Sequence, residues 1–433
     1  MSKAAILTLG CKANQFESAA MQGELEGLGF QVGALMHDCE LVVVNTCTVT
    51  GATDTQSRKL VRRVRRVCPD ARIFVTGCAA QIDPGMFSAL AGVERVFGNM
   101  EKQDLKLLLA PGGSQIQVSD IARAEHSPSL QISGFAHHSR AFVQIQTGCN
   151  NFCTYCIIPY ARGRSRSVLP SDVVAQVQTL GAAGFAEIVL TGIHIGQYGK
   201  DLDAQLDLAG LVALILQNTS VARIRLGSVE PQELTPALID LIATSPRVCS
   251  HLHIPLQSGS APVLERMKRT YTPDFFRERI FTIRQALPKA GLGFDVITGF
   301  PGETSAEFEQ TRAMLAALPF SYLHVFPYSS RSGTAAAQMP GQVPIELRRE
   351  RATVLREIAR TKANTFAREF IGKEVEVIFH ARTPTDTGAT ALWRGVSGEY
   401  LEVECAGDGS PGMQVRRVKV QNIVAGRVLG STL

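Results

Sequence analysis

The sequence predicts an α/β chain built as an open parallel βαβ sheet domain (residues 1–115), a tether (116–134), a partial (β/α)6 barrel (135–368) and a small all-β barrel (369–433). Three observations carry this division. Apolar strand-like runs alternate with amphipathic helix-length segments near the amino terminus, the pattern of βαβ units and a parallel sheet. The same alternation returns over the middle of the chain for six strands, short of the eight of a complete barrel. Beyond residue 369, short strands follow one another through glycine-rich turns, which suits a small closed barrel of the OB-like kind.

In the first part AAILTLG reads as a buried strand, QFESAAMQGELEGLGF as an amphipathic helix ending in glycine, and LVVVNTC as a second strand. TDTQSRKLVRRVRRV reads as a helix, IFVTGCA as a third strand and QIDPGMFSALAGV as another helix. Cys11 follows the first strand, Cys47 the second and Cys78 the third. The carboxyl ends of parallel strands share one edge, where ligands sit, so three thiolates distant in sequence can meet there. Taken singly, each is also an ordinary buried thiol. The helix between the second and third strands crowds Arg58, Lys59, Arg62, Arg63, Arg65 and Arg66 around a stripe of Leu60, Val61, Val64 and Val67 at helical spacing. Its cationic face suits phosphate contact or plain solvation.

After Glu101 the pattern dissolves into LLLAPGGSQIQVSD and a polar stretch to His138, the tether. The strand AFVQIQTG then delivers CNNFCTYC, residues 149–156, with Cys149, Cys153 and Cys156 spaced C-x3-C-x2-C. A closed structural zinc site wants four ligands, whereas an iron-sulfur cube held by three cysteines leaves one iron open. A zinc knuckle or a redox loop is the plainer alternative. Five more strands, EIVLTGI, ARIRLGS, HLHIPLQ, LGFDVITGF and YLHVFPY, are separated by helical patterns. Their carboxyl ends, where active groups lie in such barrels, carry Thr191 and Gly192, then Ser228 and Glu230 with Arg225 just inside, then His253 and Gln257, then Ile297, Gly299 and Glu303, and finally Arg331, Gly333 and Thr334. Arg162, Arg164 and Arg166 after the cysteine loop suit RNA phosphate, the preferred reading, or plain solvation of the loop.

PIELRRERATVLREIARTKANTFAREFIG has the period of one long amphipathic helix closing the barrel domain. EVEVIFHA, ATALWRG, YLEVEC and QVRRVKVQNIVAGRVLG are the strands of the last unit, with Trp393 and Tyr400 able to stack on bases or to fill its core.

At 433 residues there is room for two or three domains. The longest apolar run, near LAGLVALIL at 208–216, is too short to span a bilayer, so no membrane association is expected. The first residues lack an A-x-A-like cleavage site, and a cytoplasmic chain is expected. Ten cysteines in such a chain speak for metal rather than disulfides; Cys39, Cys68, Cys249 and Cys405 match no motif and read as structural. A net charge of +5 suits an anionic partner such as RNA without requiring one.

The stretch QTGCNNFCTYCIIPYARGRSRS resembles the cluster loop of radical S-adenosylmethionine (SAM) enzymes, and TLGCKANQFES, VVNTCTVT and VTGCAAQ resemble the three segments by which methylthiotransferases hold an auxiliary [4Fe-4S] cluster. The resemblance covers essentially the whole chain, the last part looking like an RNA-binding TRAM domain. It implies two [4Fe-4S] clusters, one on Cys149, Cys153 and Cys156 that binds SAM, the other on Cys11, Cys47 and Cys78. SAM then serves as methyl donor and as radical source, with Tyr155, Thr191, Gly192, Arg225, Ser228, Glu230, His253, Gln257, Ile297 and Gly299 as cofactor-binding residues. No catalytic residue is implied beyond the cluster ligands. GCKANQFES is closer to the branch acting on N6-threonylcarbamoyladenosine, 3′ to the anticodon at adenosine 37 of tRNA, than to the isopentenyladenosine branch, which tends to carry GCQMN. A third branch, tending to GCPKN, modifies an aspartate of a ribosomal protein. The implied partners are the tRNA anticodon stem-loop, an external electron donor and a sulfur source. The competing class is a noncatalytic, metal-stabilised RNA-binding protein, against which the barrel motifs around the cysteine loop argue.

Overall fold

The structure, a computed structural model, describes residues 2–135, 138–203, 206–383, 392–407, 412–424 and 426–433. β1 (Lys3–Thr8), β2 (Gln31–Gly33), β3 (Leu41–Thr46), β4 (Arg72–Gly77), β5 (Val93–Phe97) and β6 (Ile116–Gln117) form one parallel sheet in the order β2-β1-β3-β4-β5-β6. Both faces of its middle are covered, which is why LVVVNT and IFV read as unbroken apolar runs. Val61 and Val64 of helix Gly51–Val67 pack with Val42, Val44, Ile73 and Val75 on one side; Met21 and Leu25 of helix Lys12–Gly27 pack with Val43 and Phe74 on the other. Of the three added strands, β2 and β6 are short. β6 is two residues long and draws Ile116 and Gln117 out of the expected tether into the sheet.

The expected helix over QIDPGMFSALAGV is instead two short helices, Cys78–Ile82 and Pro84–Ser88, followed by β5. Pro84 cannot extend a helix, and Asp83 starts a new one by accepting the Met86 N–H at 2.9 Å.

The centre begins with β7 (Ala141–Gln144), then a minimal antiparallel pair, β8 (Gln146–Thr147) and β9 (Arg166–Ser167), which brackets the cysteine loop. β10 (Glu187–Thr191), β11 (Arg223–Leu226), β12 (His251–Gln257), β13 (Gly291–Thr298) and β14 (Tyr322–Pro327) follow. β7-β10-β11 and β12-β13-β14 are parallel triplets joined by bridges at Ile224↔Val248 and Ser228↔His253. Six strands in an open row result, as the alternation predicts. Helix Lys12–Gly27 of the first sheet domain lies against β7, with Phe16 in the same core as Phe135 and Phe142. Helix Ile345–Arg368 lies against β14, where Arg356 donates to the Val325 carbonyl at 3.1 Å.

β15 (Glu374–Thr383), β16 (Leu392–Ser397), β17 (Glu402–Ala406), β18 (Arg416–Val424) and β19 (Arg427–Thr432) close into a barrel. Residues 389–391 of the expected strand ATALWRG lie outside the described residues. Trp393 is buried against Phe379, a core residue rather than a stacking platform. Tyr400 stacks on His251 with ring centroids 4.3 Å apart, so it joins the two barrels. Among the described residues no helix is long and apolar enough to cross a membrane.

Candidate active site

β1, β3 and β4 are adjacent in the sheet; β3 and β4 run directly into Cys47 and Cys78, and β1 reaches Cys11 through Leu9 and Gly10. Burial pushes the Cys47 thiol up to about 11, and its neighbours Cys78 and Cys11 push it the same way. The three cysteines thus lie at the carboxyl edge of adjacent strands. Glycines shape the approach: Gly10, Gly77 and Gly148 each precede a cysteine with φ of 97°, 94° and 74°, a region that favours glycine. A Cβ on Gly10 would lie 2.6 Å from Cys47 Sγ, and one on Gly148 only 1.8 Å from the Arg164 carbonyl oxygen.

The NQFES run beside Cys11 explains itself in the fold. Asn14 Nδ2 donates to the Leu9 and Thr46 carbonyls at 2.8 and 2.9 Å, stitching the ends of β1 and β3 together. Glu17, fully buried, accepts from Lys102 Nζ at 2.6 Å and from Arg162 at 2.7 and 3.0 Å. Arg162 also donates from Nη2 to Asn14 Oδ1 at 2.5 Å and from Nε to Cys78 Sγ at 3.2 Å. Two cations face one carboxylate here, and buried charge demands a partner, so the site has a positive charge to spare beside Cys78 Sγ. The donor set thus fits an anionic, thiolate-ligated group. Burial alone would raise the Glu17 pKa, but Arg162 and Lys102 outweigh it and hold it at about 2.

This overturns the assignment of Arg162 and Arg166 to RNA phosphate. Arg162 is 2% exposed and spent on Glu17, Asn14 and Cys78, and Arg166, also buried, donates to the Arg162 carbonyl at 2.8 Å. On helix Gly51–Val67, by contrast, Lys59, Arg62, Arg63 and Arg66 are exposed.

The C-x3-C-x2-C loop is anchored by Gln146. Its Nε2 donates to the Thr147 and Gly148 carbonyls at 2.9 and 2.8 Å, and its Oε1 accepts from the backbone of Ile193 and His194 at 3.1 and 2.8 Å. Each of two loop sulfurs has a basic partner. His194 Nδ1 lies 3.5 Å from Cys149 Sγ, and Arg269 Nη1 donates to Cys153 Sγ at 3.3 Å. Burial pulls the His194 pKa down, but Cys149 and Glu233 overcome it and raise it to about 10. Burial also raises the Cys156 thiol to about 12. Such a loop suits a cluster whose binding expels the thiol protons and whose thiolates receive charge-assisted hydrogen bonds.

A cavity of about 220 Å³ is lined by Val49 and Thr50, which follow Cys47, by Tyr155 of the loop, and by Gln257, Asp295, Ile297 and Phe326 of the barrel. It is closed from one side by the segment after β14: Arg331 donates to Thr48 Oγ1 and to Asp54 Oδ2, and Ser329 Oγ accepts the Gly51 N–H at 3.0 Å. Larger hollows exist, one of about 550 Å³ beside Arg223, Cys249 and Glu399, but this one sits at the amino ends of β11 and β12, away from the cysteine loops.

The expected cofactor residues divide. Tyr155, Gln257 and Ile297 share the cavity. Thr191 and Gly192 close β10, where a Cβ on Gly192 would lie 2.7 Å from the Gln146 carbonyl oxygen. Glu230 pairs with Arg269 beside Cys153. Ser228 is exposed and bridges to His253 on β12. The Gly299 N–H donates to Glu303 at 2.8 Å, and Arg348 packs where its Cβ would stand. Arg225 is not available to a cofactor. It is buried, donates to Glu187 at 2.8 and 3.2 Å and to the Ser397 and Gly398 carbonyls at 2.8 and 3.2 Å, and so seats the C-terminal barrel.

An open row of parallel strands that delivers a three-cysteine loop from the end of its first strand is the framework of radical SAM enzymes. Residues 143–315 match the family model of the radical SAM superfamily, and residues 3–98 match that of the uncharacterized protein family UPF0004. The fold is shared with the radical S-adenosylmethionine methyltransferase TsrM of Kitasatospora setae (TM-score 0.58, 16% identity, 78% of this chain and 77% of that one).

The chain is 38% identical to the threonylcarbamoyladenosine tRNA methylthiotransferase MtaB of Bacillus subtilis over 98% of its length and 95% of the relative's. It is 39% identical to the protein of that name from Rickettsia prowazekii, over 86% of each. Against the tRNA-2-methylthio-N(6)-dimethylallyladenosine synthase of Moorella thermoacetica the identity is 34%, over 88% of each. The chain belongs to the radical SAM tRNA methylthiotransferase family, whose enzymes use SAM and a [4Fe-4S] cluster.

Proposed function

We infer that this enzyme adds a methylthio group to C2 of N6-threonylcarbamoyladenosine at position 37 of tRNA. The observation that carries the reading is the near full-length similarity to relatives named for that substrate, at 38% and 39% identity. The geometry supports it, because one cavity is lined by residues that neighbour a cysteine of each set in sequence, Val49 and Thr50 after Cys47 and Tyr155 before Cys156. Cys149, Cys153 and Cys156 would hold the SAM cluster; Cys11, Cys47 and Cys78 would hold a second, sulfur-bearing cluster. When bound, the first supplies the electron for cleavage of SAM and thereby the radical that activates an otherwise unreactive C–H bond.

The chain's own part is to position and to exclude water. Tyr155, Gln257 and Ile297 offer the wall against which SAM would lie, framed by the strand ends at Thr191, Gly192, Ser228, Glu230 and Gly299. Arg269 and His194 orient the loop thiolates and offset their charge. Arg162 does the same for Cys78, and Arg331 fixes the Cys47 loop against the barrel. The electron donor and the sulfur source are external partners in this reading.

The test is mass spectrometry of tRNA nucleosides from a strain lacking the gene and from the same strain complemented. The expected result is loss and restoration of 2-methylthio-N6-threonylcarbamoyladenosine. If the 2-methylthio isopentenyl nucleoside vanishes instead, the branch is wrong and the reaction class stands. If no tRNA nucleoside changes, a tRNA substrate is ruled out.

A further inference from the structure

One group of polar side chains, of which Asp295 lines the cavity, stands apart from the cysteine loops. His253 on β12, Asp295 on β13 and His324 on β14 form a row across three neighbouring strands. His253 Nε2 lies 2.9 Å from Asp295 Oδ2, and His324 Nδ1 lies 3.0 Å from Asp295 Oδ1. Tyr322 fixes the first ring, its hydroxyl standing 3.0 Å from His253 Nδ1 and 2.8 Å from His251 Nε2. Asp295 borders the cavity directly, beside Phe326 and Gln257. His324 is 52% exposed at its side chain, and its Nε2 makes no hydrogen bond to the described residues. The arrangement is rigid at one end and open at the other.

We propose that Asp295 and His324, braced by His253, form the subsite that reads the threonylcarbamoyl group on N6 of the target adenosine. The proposal rests on the threonylcarbamoyladenosine reading above and extends it to named residues. A threonylcarbamoyl group carries a urea N–H and a hydroxyl that donate, and a carboxylate that accepts. The row presents acceptors for those donors: Asp295 with carboxylate lone pairs left over and, beside it, the His324 Nε2 lone pair, since the Nδ1–H of that ring is given to Asp295. A dimethylallyl group offers none of these and would strand the polar side chains without partners. Sites built on such hydrogen bonds reject an analogue that lacks them far more strongly than apolar pockets reject a polar one.

The same three residues bring their ligand atoms within 4.8 Å of one another, a spacing that a divalent cation also accepts. The bonding already present opposes that use. Each Asp295 oxygen is engaged by a different imidazole nitrogen, and the remaining nitrogen of His253 is engaged by Tyr322.

The experiment uses the full-length enzyme with its clusters reconstituted and fluorescent anticodon stem-loop RNAs. These carry threonylcarbamoyladenosine, dimethylallyladenosine or plain adenosine at the target position. Binding is read by anisotropy and the product by nucleoside mass spectrometry. Wild type is expected to bind the threonylcarbamoyl RNA at least tenfold more tightly than the plain one. His324→Phe should cut that ratio about tenfold and leave plain-RNA affinity within twofold, with iron content unchanged; His324→Gln should recover part of the ratio. If wild type prefers the threonylcarbamoyl RNA and His324→Phe keeps the preference, the subsite is refuted while the substrate reading stands. If wild type modifies only the dimethylallyl RNA, the substrate reading falls and the subsite with it. A third metal in wild type that is absent from His324→Phe also overturns the proposal.

Discussion

Arg162→Met is the substitution that most directly probes how the two cysteine sets are joined. The guanidinium supplies two of the three bonds to Glu17, one to Asn14 Oδ1 and one to Cys78 Sγ, and it is buried. Removing one partner of a buried ion pair costs about 3–5 kcal/mol. Lys102 still holds Glu17 at 2.6 Å, so the loss belongs at the lower end, about 3 kcal/mol. Read as local opening, that is roughly a hundredfold faster amide exchange. The acceleration should appear in helix Lys12–Gly27 and in Ile158–Arg162, the two segments the side chain joins, and not in β15–β19. Hydrogen–deuterium exchange with mass spectrometry measures it segment by segment. Glu17→Gln in the Arg162→Met background should cost less than the two single changes added together, with a coupling of about 2 kcal/mol. Arg162→Lys should fall between, since one ammonium cannot cover three acceptors. Acceleration below about fivefold, or acceleration spread evenly over the molecule, would refute the idea that this network is what clamps the first domain to the barrel.

Other consequences are as direct. Cys149→Ala should abolish 5′-deoxyadenosine formation from SAM, whereas Cys47→Ala should leave cleavage measurable and prevent methylthiolation; methylthiolated product from the second variant would remove the trio of Cys11, Cys47 and Cys78 from the reaction. Gly148→Ala forces a Cβ to within 1.8 Å of the Arg164 carbonyl oxygen at a φ of 74°, so the loop must shift and reconstituted iron should fall to about half that of wild type. The Glu17 carboxylate, held at about 2 in the folded chain against an ordinary 4.5, contributes stability fully present above about pH 4.5 and lost as pH falls toward 2. Urea midpoints taken between pH 6 and pH 3 should therefore drop less in Glu17→Gln than in wild type, and equal slopes would show that the pair contributes nothing.

The parts of the site that were legible in the sequence are those written locally. A cysteine behind an apolar strand, a glycine before the cysteine and the spacing of CNNFCTYC all survive translation into structure because each depends on neighbours a few residues away. What was hidden depends on long-range contact. Arg162 meets Cys78, Arg269 meets Cys153 and Arg331 meets Asp54 across separations of 84, 116 and 277 residues, and no local pattern marks an arginine as buried. Arg162 therefore read as a phosphate ligand and Arg225 as a cofactor ligand, when both are internal braces. Asp295 and His324 face each other directly in the β13–β14 register, a pairing visible only once that register is known. Strands of two or three residues, β2 and β6, carry too little pattern to be seen at all.

A row of six strands that never closes leaves two free rims of backbone donors and acceptors, which are natural templates for unwanted pairing with other chains. Here the rims are shielded by different parts of the molecule. Helix Ile345–Arg368 lies against β14, but helix Lys12–Gly27, which lies against β7, belongs to the sheet domain at the other end of the sequence. A truncated barrel lacking residues 1–115 would expose the β7 rim and the apolar face of Phe142, and should be recovered as aggregate. The module that carries one set of cysteines thus also acts as the lateral cover of the other set's scaffold.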